Sequence, residues 1–338
     1  INSTNLFDAS AGFGGYRESG FGREGGEEGL LDYLNESSKP LIYVQKEKKN
    51  KNKETEKNNQ KTIDRTRKLF IGGLQKRSDS GYDKHIYSSN KLIGQVPLGN
   101  RKDIRDAVES ASNESKWRSM SAHARAQVLY YAAENLDLRK NEFAKTIQLM
   151  TGENGKDEVD QALENIFYFA SWADKFEGTI HNVPIRGVSL AMKEPLGVIA
   201  IVCPDNNPLL SFIHLVFSAL CMGNTVVVVP SEKHPLCAID MYQIFETSDF
   251  PPGAINIVTG NRDELSETLS KHMQVDGIWY FGSKEGSKKI EENSNSNLKQ
   301  TWVNNGLSYS WVKLPKEIKM KSLQKSIQIK NIWIPYGE

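Results

Sequence analysis

Between residues 194 and 281 the chain alternates short, almost wholly apolar runs with helical stretches, and few folds accept that pattern. Residues 196–203 (Leu-Gly-Val-Ile-Ala-Ile-Val-Cys) read as a buried strand, and so do 224–229 (Asn-Thr-Val-Val-Val-Val), ended by Pro230. Shorter runs at 255–258 and 277–281 supply two more. Helices are expected at 209–222, 236–245 and 263–271. An antiparallel strand with one wet face alternates apolar and polar residues; these do not, so both faces of the sheet must be covered. Strands separated by helices imply a parallel sheet in an α/β fold. Such an architecture suits nucleotide binding, but a fold alone does not name a function.

Upstream, residues 103–112, 123–150 and 157–176 read as helices. In the second, Val128, Tyr131, Ala132, Leu136, Phe143, Ile147 and Leu149 recur near helical spacing, and Gly152 marks the end. In the third, Ala162, Ile166, Phe169, Ala170 and Ala173 share a face. These stripes are core and need no catalytic reading. A strand and turn are expected at 69–73, and a strand–turn–strand around Asn90. Residues 45–61 hold no apolar side chain, so they cannot offset their ordering entropy and read as a solvated linker. The first forty residues are Gly-rich, yet Phe7, Phe13, Tyr16, Phe21 and Tyr33 argue for a folded loop that feeds a short helix at 27–34.

The balance of 43 basic and 42 acidic residues leaves a formal charge of +1, so no net field points to nucleic acid or to an anionic membrane. No apolar run approaches the roughly 18 residues of a membrane span. Three cysteines, Cys203, Cys221 and Cys237, make an odd and sparse set that fits a reducing, cytoplasmic compartment. Each reads as a small buried hydrophobe; Cys203, one residue before an Asn-rich loop, is the one to watch. The six histidines lie at no metal-ligand spacing, so no metal site is expected.

Several stretches then resemble one family in their residues. Trp172-Ala173-Asp174-Lys175-Phe176-Glu177-Gly178, Glu194-Pro195-Leu196-Gly197-Val198, Pro204-Asp205-Asn206-Asn207-Pro208-Leu209 and Phe250-Pro251-Pro252-Gly253-Ala254-Ile255-Asn256-Ile257-Val258 resemble the aldehyde dehydrogenases from their beginning. Residues 7–34, with Gly14-Gly15-Tyr16-Arg17, Ser19-Gly20 and Gly22-Arg23-Glu24, resemble the family's C-terminal signature instead. Tail before head implies two copies in tandem, as in the family 16 type, and a chain opening on Ile1 fits a piece cut inside the first copy. The expected division is 1–44 tail of copy one, 45–67 polar linker, 68–308 a degenerate Rossmann-type nucleotide-binding domain, and 309–338 a short C-terminal extension.

The resemblance implies a chemistry in which a cysteine thiolate attacks an aldehyde, an asparagine helps hold the oxyanion, hydride passes to NAD(P), and a glutamate activates water. Carried onto this chain, the oxyanion position is Asn206, flanked by Asp205 and Asn207 where the family has apolar residues. The ribose lysine becomes Val229, while Glu232 remains. The phosphate loop becomes Tyr280-Phe281-Gly282-Ser283, whose Gly282 and Ser283 keep the loop's form. The general base becomes Asn304, whose amide takes no proton near neutral pH. No cysteine follows Asn304. The expectation is therefore a second copy with no intact catalytic residue and weak or no NAD(P) binding, serving a structural or interaction role. The first copy and a homodimer mate are its expected partners. Two alternatives stand beside it: a longer protein that oxidises aldehydes with NAD(P) through an upstream cysteine, and a second copy that keeps a weak nucleotide site. With the catalytic half absent, an apolar face is expected to lie open, and the hairpin at 178–192 is expected to survive.

Overall fold

The computed structural model describes residues 7–34, 66–184 and 186–336. The expected linker therefore lies outside the described residues, except for its last two. Those two are anchored: Thr66 bridges Gln95, and Arg67 pairs with Asp240 through two bonds of 2.7 Å. The linker reading fails for them because a bidentate ion pair fixes the chain before the first strand.

Residues 66–176 open with β1 (Leu69–Ile71) and β2 (Leu74–Lys76), then the hairpin β3 (Asp83–Ser88) and β4 (Lys91–Pro97). In the helical layer, α2 (Arg101–Asn113) and α3 (Lys116–Ser119) precede α4 (Ala122–Leu138), α5 (Lys140–Thr151) and α6 (Gly155–Trp172). Counted along the chain, α1 is the short Gly26–Leu30 helix of the first segment, followed by a 3₁₀ turn at Leu31–Tyr33. Local chemistry sets these boundaries. A capping box between Asn100 and Asp103 starts α2, and Gly152, with φ 74°, closes α5 in the left-handed region. The single helix expected over 123–150 is broken at Arg139, and its stripe was misphased. Ala126, Leu129, Ala132, Ala133 and Leu136 are buried, while Tyr131 and Leu149 are exposed. The two halves pack in turn against α6, which a straight helix does not allow. Periodicity continued across the break and concealed it.

The main sheet has the order β11-β10-β7-β8-β9-β1-β2. Its strands are β7 (Val198–Val202), β8 (Thr225–Val229), β9 (Ile255–Ile257), β10 (Gly277–Tyr280) and β11 (Gln300–Val303), all mutually parallel, with β1 and β2 added antiparallel at one edge. The helices between them are α7 (Pro208–Cys221), the short pair α8 (Leu236–Asp240) and α9 (Tyr242–Glu246), then α10 (Arg262–Lys271) and α11 (Lys284–Asn293). One face of the sheet packs on α7, with Phe212, Phe217, Trp279 and Trp302 in its core. The other packs on α2, α10 and α11 through Val198, Val202, Val227 and Ile278. Every residue of α7 is buried, as its unbroken apolar sequence requires.

A second sheet, β12-β6-β5, projects from the amino end of β7. The expected hairpin is present as β5 (Thr179–His181) and β6 (Gly187–Pro195). Nine residues of β12 (Ile327–Pro335) pair antiparallel with β6. β6 passes into β7 through Gly197, at φ 132°, where a Cβ would sit 2.1 Å from Asp276 Oδ2. Residues 309–336 thus do not form a loose extension. Tyr309 and Trp311 enter the core beside Phe281, helix α12 (Lys316–Gln324) packs on α7, and Leu323 is fully buried. An open apolar face was expected without a side being named; the α7 face is covered by this segment. No signal in the sequence tied 309–323 to that face, because the contact is non-local.

The first segment docks on the small sheet. Phe13 and Glu24 bridge each other, closing its Gly-rich loop. Tyr16 Oη donates to Glu194 Oε2 at 2.7 Å, Ser10 Oγ to the Asn182 carbonyl, and Arg23 to the carbonyls of Gly15 and Ile329. Glu28 meets His181 at 3.2 Å. Among the described residues, no helix is long and apolar enough to cross a membrane.

Candidate functional site

An open parallel sheet offers ligands the crevice beyond the carboxyl ends of its strands, where the loops converge. Every position singled out from sequence stands on that rim: Asn206 after β7, Val229 at the end of β8 with Glu232 beyond it, Gly282 and Ser283 after β10, and Asn304 after β11. The geometry shows what each is engaged in.

Asp205 is held by Arg262 from the first turn of α10, with Nη2–Oδ1 at 2.6 Å and Nη1–Oδ2 at 3.2 Å. It also accepts from Ser231 Oγ at 2.8 Å. Their side chains are 18% and 14% exposed. Burial alone would raise the Asp205 pKa, but the charge and hydrogen bonds of Arg262 outweigh it and hold the carboxyl below its usual range. Arg262 neutralises Asp205, so the acid is compensated within the crevice.

Glu232, the remaining ribose residue, is engaged through both oxygens. Oε1 accepts from Lys84 Nζ at 3.1 Å, and Oε2 accepts from the Arg262 backbone N–H at 3.1 Å, at the start of α10. Lys84 comes from β3 and brings a cation near the place where Val229 supplies none. Val229 itself is 1% exposed and belongs to the core. Lys84 and Arg262 are the residues that sequence reasoning missed. The one available signal was that a buried acid demands a basic partner, and with 43 candidates it points nowhere in particular.

The phosphate loop is likewise occupied from within. The Gly282 N–H donates to Asn304 Oδ1 at 3.1 Å, and Asn304 Nδ2 donates to the Leu307 carbonyl at 2.7 Å. Ser283 caps α11, its hydroxyl accepting from the Gly286 N–H at 2.9 Å. Beneath the loop, the buried Tyr280 ring lies so close that a Cβ on Gly282 or Gly286 would fall 2.4 or 1.9 Å from its hydroxyl. Asn206 donates its amide to the Tyr309 carbonyl at 2.7 Å. Asn207 sits at φ 48° before Pro208, and buried Glu158 caps α7 by accepting from the N–H groups of Leu209 and Leu210 at 2.8 and 3.1 Å. Burial lifts the Glu158 pKa to about 7 against those two bonds.

These residues do not fit a dinucleotide. Each oxygen of the ribose acid already accepts a bond, the lysine position is apolar, and the Gly282 N–H is spent on Asn304. The three cysteines offer no reactive thiolate. Cys203, Cys221 and Cys237 are fully buried, and burial pushes all three thiols up, away from the reactive thiolate. His214 is buried between Phe169 and Trp311, and burial pulls its pKa down to about 3, so it stays neutral. No group of metal-binding side chains occurs among the described residues.

Comparison with known proteins gives this rim its context. The profile of the aldehyde dehydrogenase family matches residues 74–311. Retinaldehyde dehydrogenase 3 of Mus musculus is 34% identical over 253 residues, which are 71% of this chain and 49% of that protein. Among solved structures, betaine aldehyde dehydrogenase of Staphylococcus aureus in complex with NAD+ superposes with a TM-score of 0.68 at 27% identity, covering 70% of this chain and 49% of the other. The NAD+ complex of an aldehyde dehydrogenase from Bacillus cereus gives 0.68 at 26%, covering 70% and 50%. The chain spans about half the length of the curated relatives it matches. Over its matched length it has the α/β fold of these enzymes, and the chain belongs to the aldehyde dehydrogenase family.

Proposed function

We propose that this chain is a non-catalytic, aldehyde dehydrogenase-like module, the tail of one copy followed by a degenerate second copy as in the family 16 type, with a structural and interaction role. The observation that carries this reading is the mutual engagement of the crevice residues. Asn304 stands where the resemblance puts the general base, and it ties down Gly282 rather than a water. Asn206 is bonded to Tyr309, Glu232 to Lys84 and Arg262. A crevice whose polar groups pair with one another gains little by binding, since a ligand must first break those bonds. NAD+, which the two solved complexes contain, and NADP are therefore held weakly or not at all by this chain. The docking of residues 7–34 on the small sheet supports the first copy as a partner, with a homodimer mate as the second. The three buried cysteines accord with a reducing, cytoplasmic setting.

The test is direct. Purified chain is incubated with NAD or NADP and a panel of short, aromatic and long-chain aldehydes, and dinucleotide binding is followed by calorimetry. We expect no turnover above buffer and no binding tighter than about millimolar. Turnover, or a micromolar dissociation constant, refutes the reading. The longer protein's activity is a separate matter: an upstream cysteine would make the whole an NAD(P)-dependent oxidoreductase on aldehydes without altering this module.

A further inference from the structure

Where residues 309–323 cover α7, polar side chains from both sides are buried together. His214, in the middle of α7, is 0% exposed, with its ring 5.4 Å from that of Trp311 and 5.1 Å from that of Phe169. Trp311 opens the 3₁₀ turn Trp311–Lys313 and is 2% exposed. Ser211, also buried, lies one helical turn before His214 on the same side of α7. Among the described residues, both His214 nitrogens, the Trp311 indole Nε1 and the Ser211 hydroxyl make no hydrogen bond. Buried polar groups almost always have a partner, because an orphaned one gives up its hydration for nothing. The chemistry of these groups also says what the partner must be. His214 stays neutral, so its ring has one N–H and one bare nitrogen, and an indole has an N–H alone. The set asks for a partner that accepts and donates at once.

We propose that an ordered water molecule is bound here, between α7 and the turn that covers it, accepting from the Trp311 indole N–H and donating to the bare nitrogen of His214. Ser211 supplies a third partner from one turn back, the usual number for a buried water. Other ligands fail on the same groups. An anion takes the N–H bonds but has nothing to give the bare nitrogen, and Lys319, whose charge is felt at His214, lies 4.9 Å over the Tyr168 ring. A metal ion would take the bare nitrogen and then face the indole N–H, and no group of metal-binding side chains occurs among the described residues. Water both gives and takes. The bridge ties Trp311 to one residue of α7, which adds direction to a contact otherwise made of aromatic packing. The inference does not depend on the reading of the crevice given above.

Water-selective nuclear Overhauser spectra of the isotope-labelled full chain read the site directly. Trp311→Phe keeps an aromatic ring and deletes the indole N–H, so it identifies the resonance among the six tryptophans. The Trp311 indole proton is expected to show a cross-peak to water with the sign of a bound molecule, not of chemical exchange. Trp117 is a built-in control. It is just as buried, but its indole N–H already donates to the Leu220 carbonyl at 3.1 Å, so it should show no such peak. Hydroxyl protons can relay a peak of this kind, so it must persist in Ser211→Ala and in Tyr309→Phe. In His214→Phe it should fall at least ~3-fold, because the acceptor for the water's proton is gone. No peak at Trp311, an equal peak at Trp117, a peak lost in Ser211→Ala or Tyr309→Phe, or one indifferent to His214→Phe overturns the proposal. Should Trp311→Phe fail to fold, a crystal structure of the unaltered chain decides. A water within about 3.2 Å of both Trp311 Nε1 and a His214 nitrogen upholds the proposal, and a direct N–H···N bond or a dry contact overturns it.

Discussion

The two rims of one sheet have opposite characters. At the carboxyl ends, groups from the loops after all five parallel strands bond to one another or to Lys84 of β3, with Asp205 on Arg262, Glu232 on Lys84 and the α10 backbone, and Asn304 on the Gly282 N–H. At the amino ends, half-exposed apolar side chains from three separate stretches, at Phe21 to Leu34, Met273 and Leu298, line a wide groove among the described residues. The family's usual ligand site is thus the closed rim, and the open rim is one to which the resemblance assigned nothing. Where Val229 and Asn304 stand at positions the resemblance singles out, the polar groups around them pair within the rim. Polar groups released from a ligand are costly when buried and unpaired, so a stable fold needs them paired internally.

The sharpest way to break this contrast is to remove the segment that closes the α7 face. Trp311→Ala should cost about 3–5 kcal/mol in urea unfolding and raise dye binding to apolar surface, since Trp311 is 2% exposed among Phe281, Tyr309 and His214. A loss below about 1 kcal/mol would mean that 309–336 is an appendage after all. Next in size is Arg262→Ala, expected to cost about 3 kcal/mol by leaving Asp205 without its buried cation. Combining Arg262→Met with Asp205→Asn should recover most of that loss, and no recovery would show that the pair is not what closes the rim.

The pH dependence sharpens the comparison further. Glu158 has its folded pKa raised to about 7 by burial, so the stabilisation from its extra proton is full below about pH 4.5 and is lost as pH rises through 7. His214 is the reverse case. Its folded pKa is lowered to about 3 by burial, so stability is full above the unfolded value near 6.5 and falls as pH drops below it. Between roughly pH 4.5 and 6.5 the two slopes oppose each other at about 1.4 kcal/mol per unit. Glu158→Gln should therefore expose a fall of about 2–3 kcal/mol on acidification across that window, where the unaltered chain stays nearly flat. A flat profile in the variant would show that His214 does not titrate on unfolding. The smallest effect belongs to Lys84→Ala. Its pair with Glu232 is about one-third exposed, so the change should cost no more than ~0.5 kcal/mol. NAD binding should not improve, because Val229 and Asn304 still deny the ribose and the loop. A gain of micromolar affinity would show that Lys84 alone blocks the crevice.

Much of the fold was legible. Strands of unbroken apolar residues and the wholly apolar α7 can lie only inside a covered sheet, and the structure places them there. Which residues stand at the positions the resemblance singles out was legible as well, because a Val229 or an Asn304 is a statement about sequence and needs no geometry. Where local reading failed, it failed at changes of direction: the stripe over 123–150 runs through the break at Arg139. It failed too for the strand pairing of 327–335 with 187–195, since strand character does not name a partner.

By itself, then, the sequence determined which segments must be buried and which residues stand at the positions the resemblance singles out. The tertiary structure alone decided who satisfies whom. Arg262 finds Asp205 across 57 residues, Lys84 finds Glu232 across 148, and Trp311 seals a face built about a hundred residues earlier, from 208 to 221. Helix and strand periodicities are properties of neighbouring residues and can be read in order along the chain. A hydrogen-bond partner is chosen by proximity in space, and proximity between distant segments exists only once the sheet has assembled.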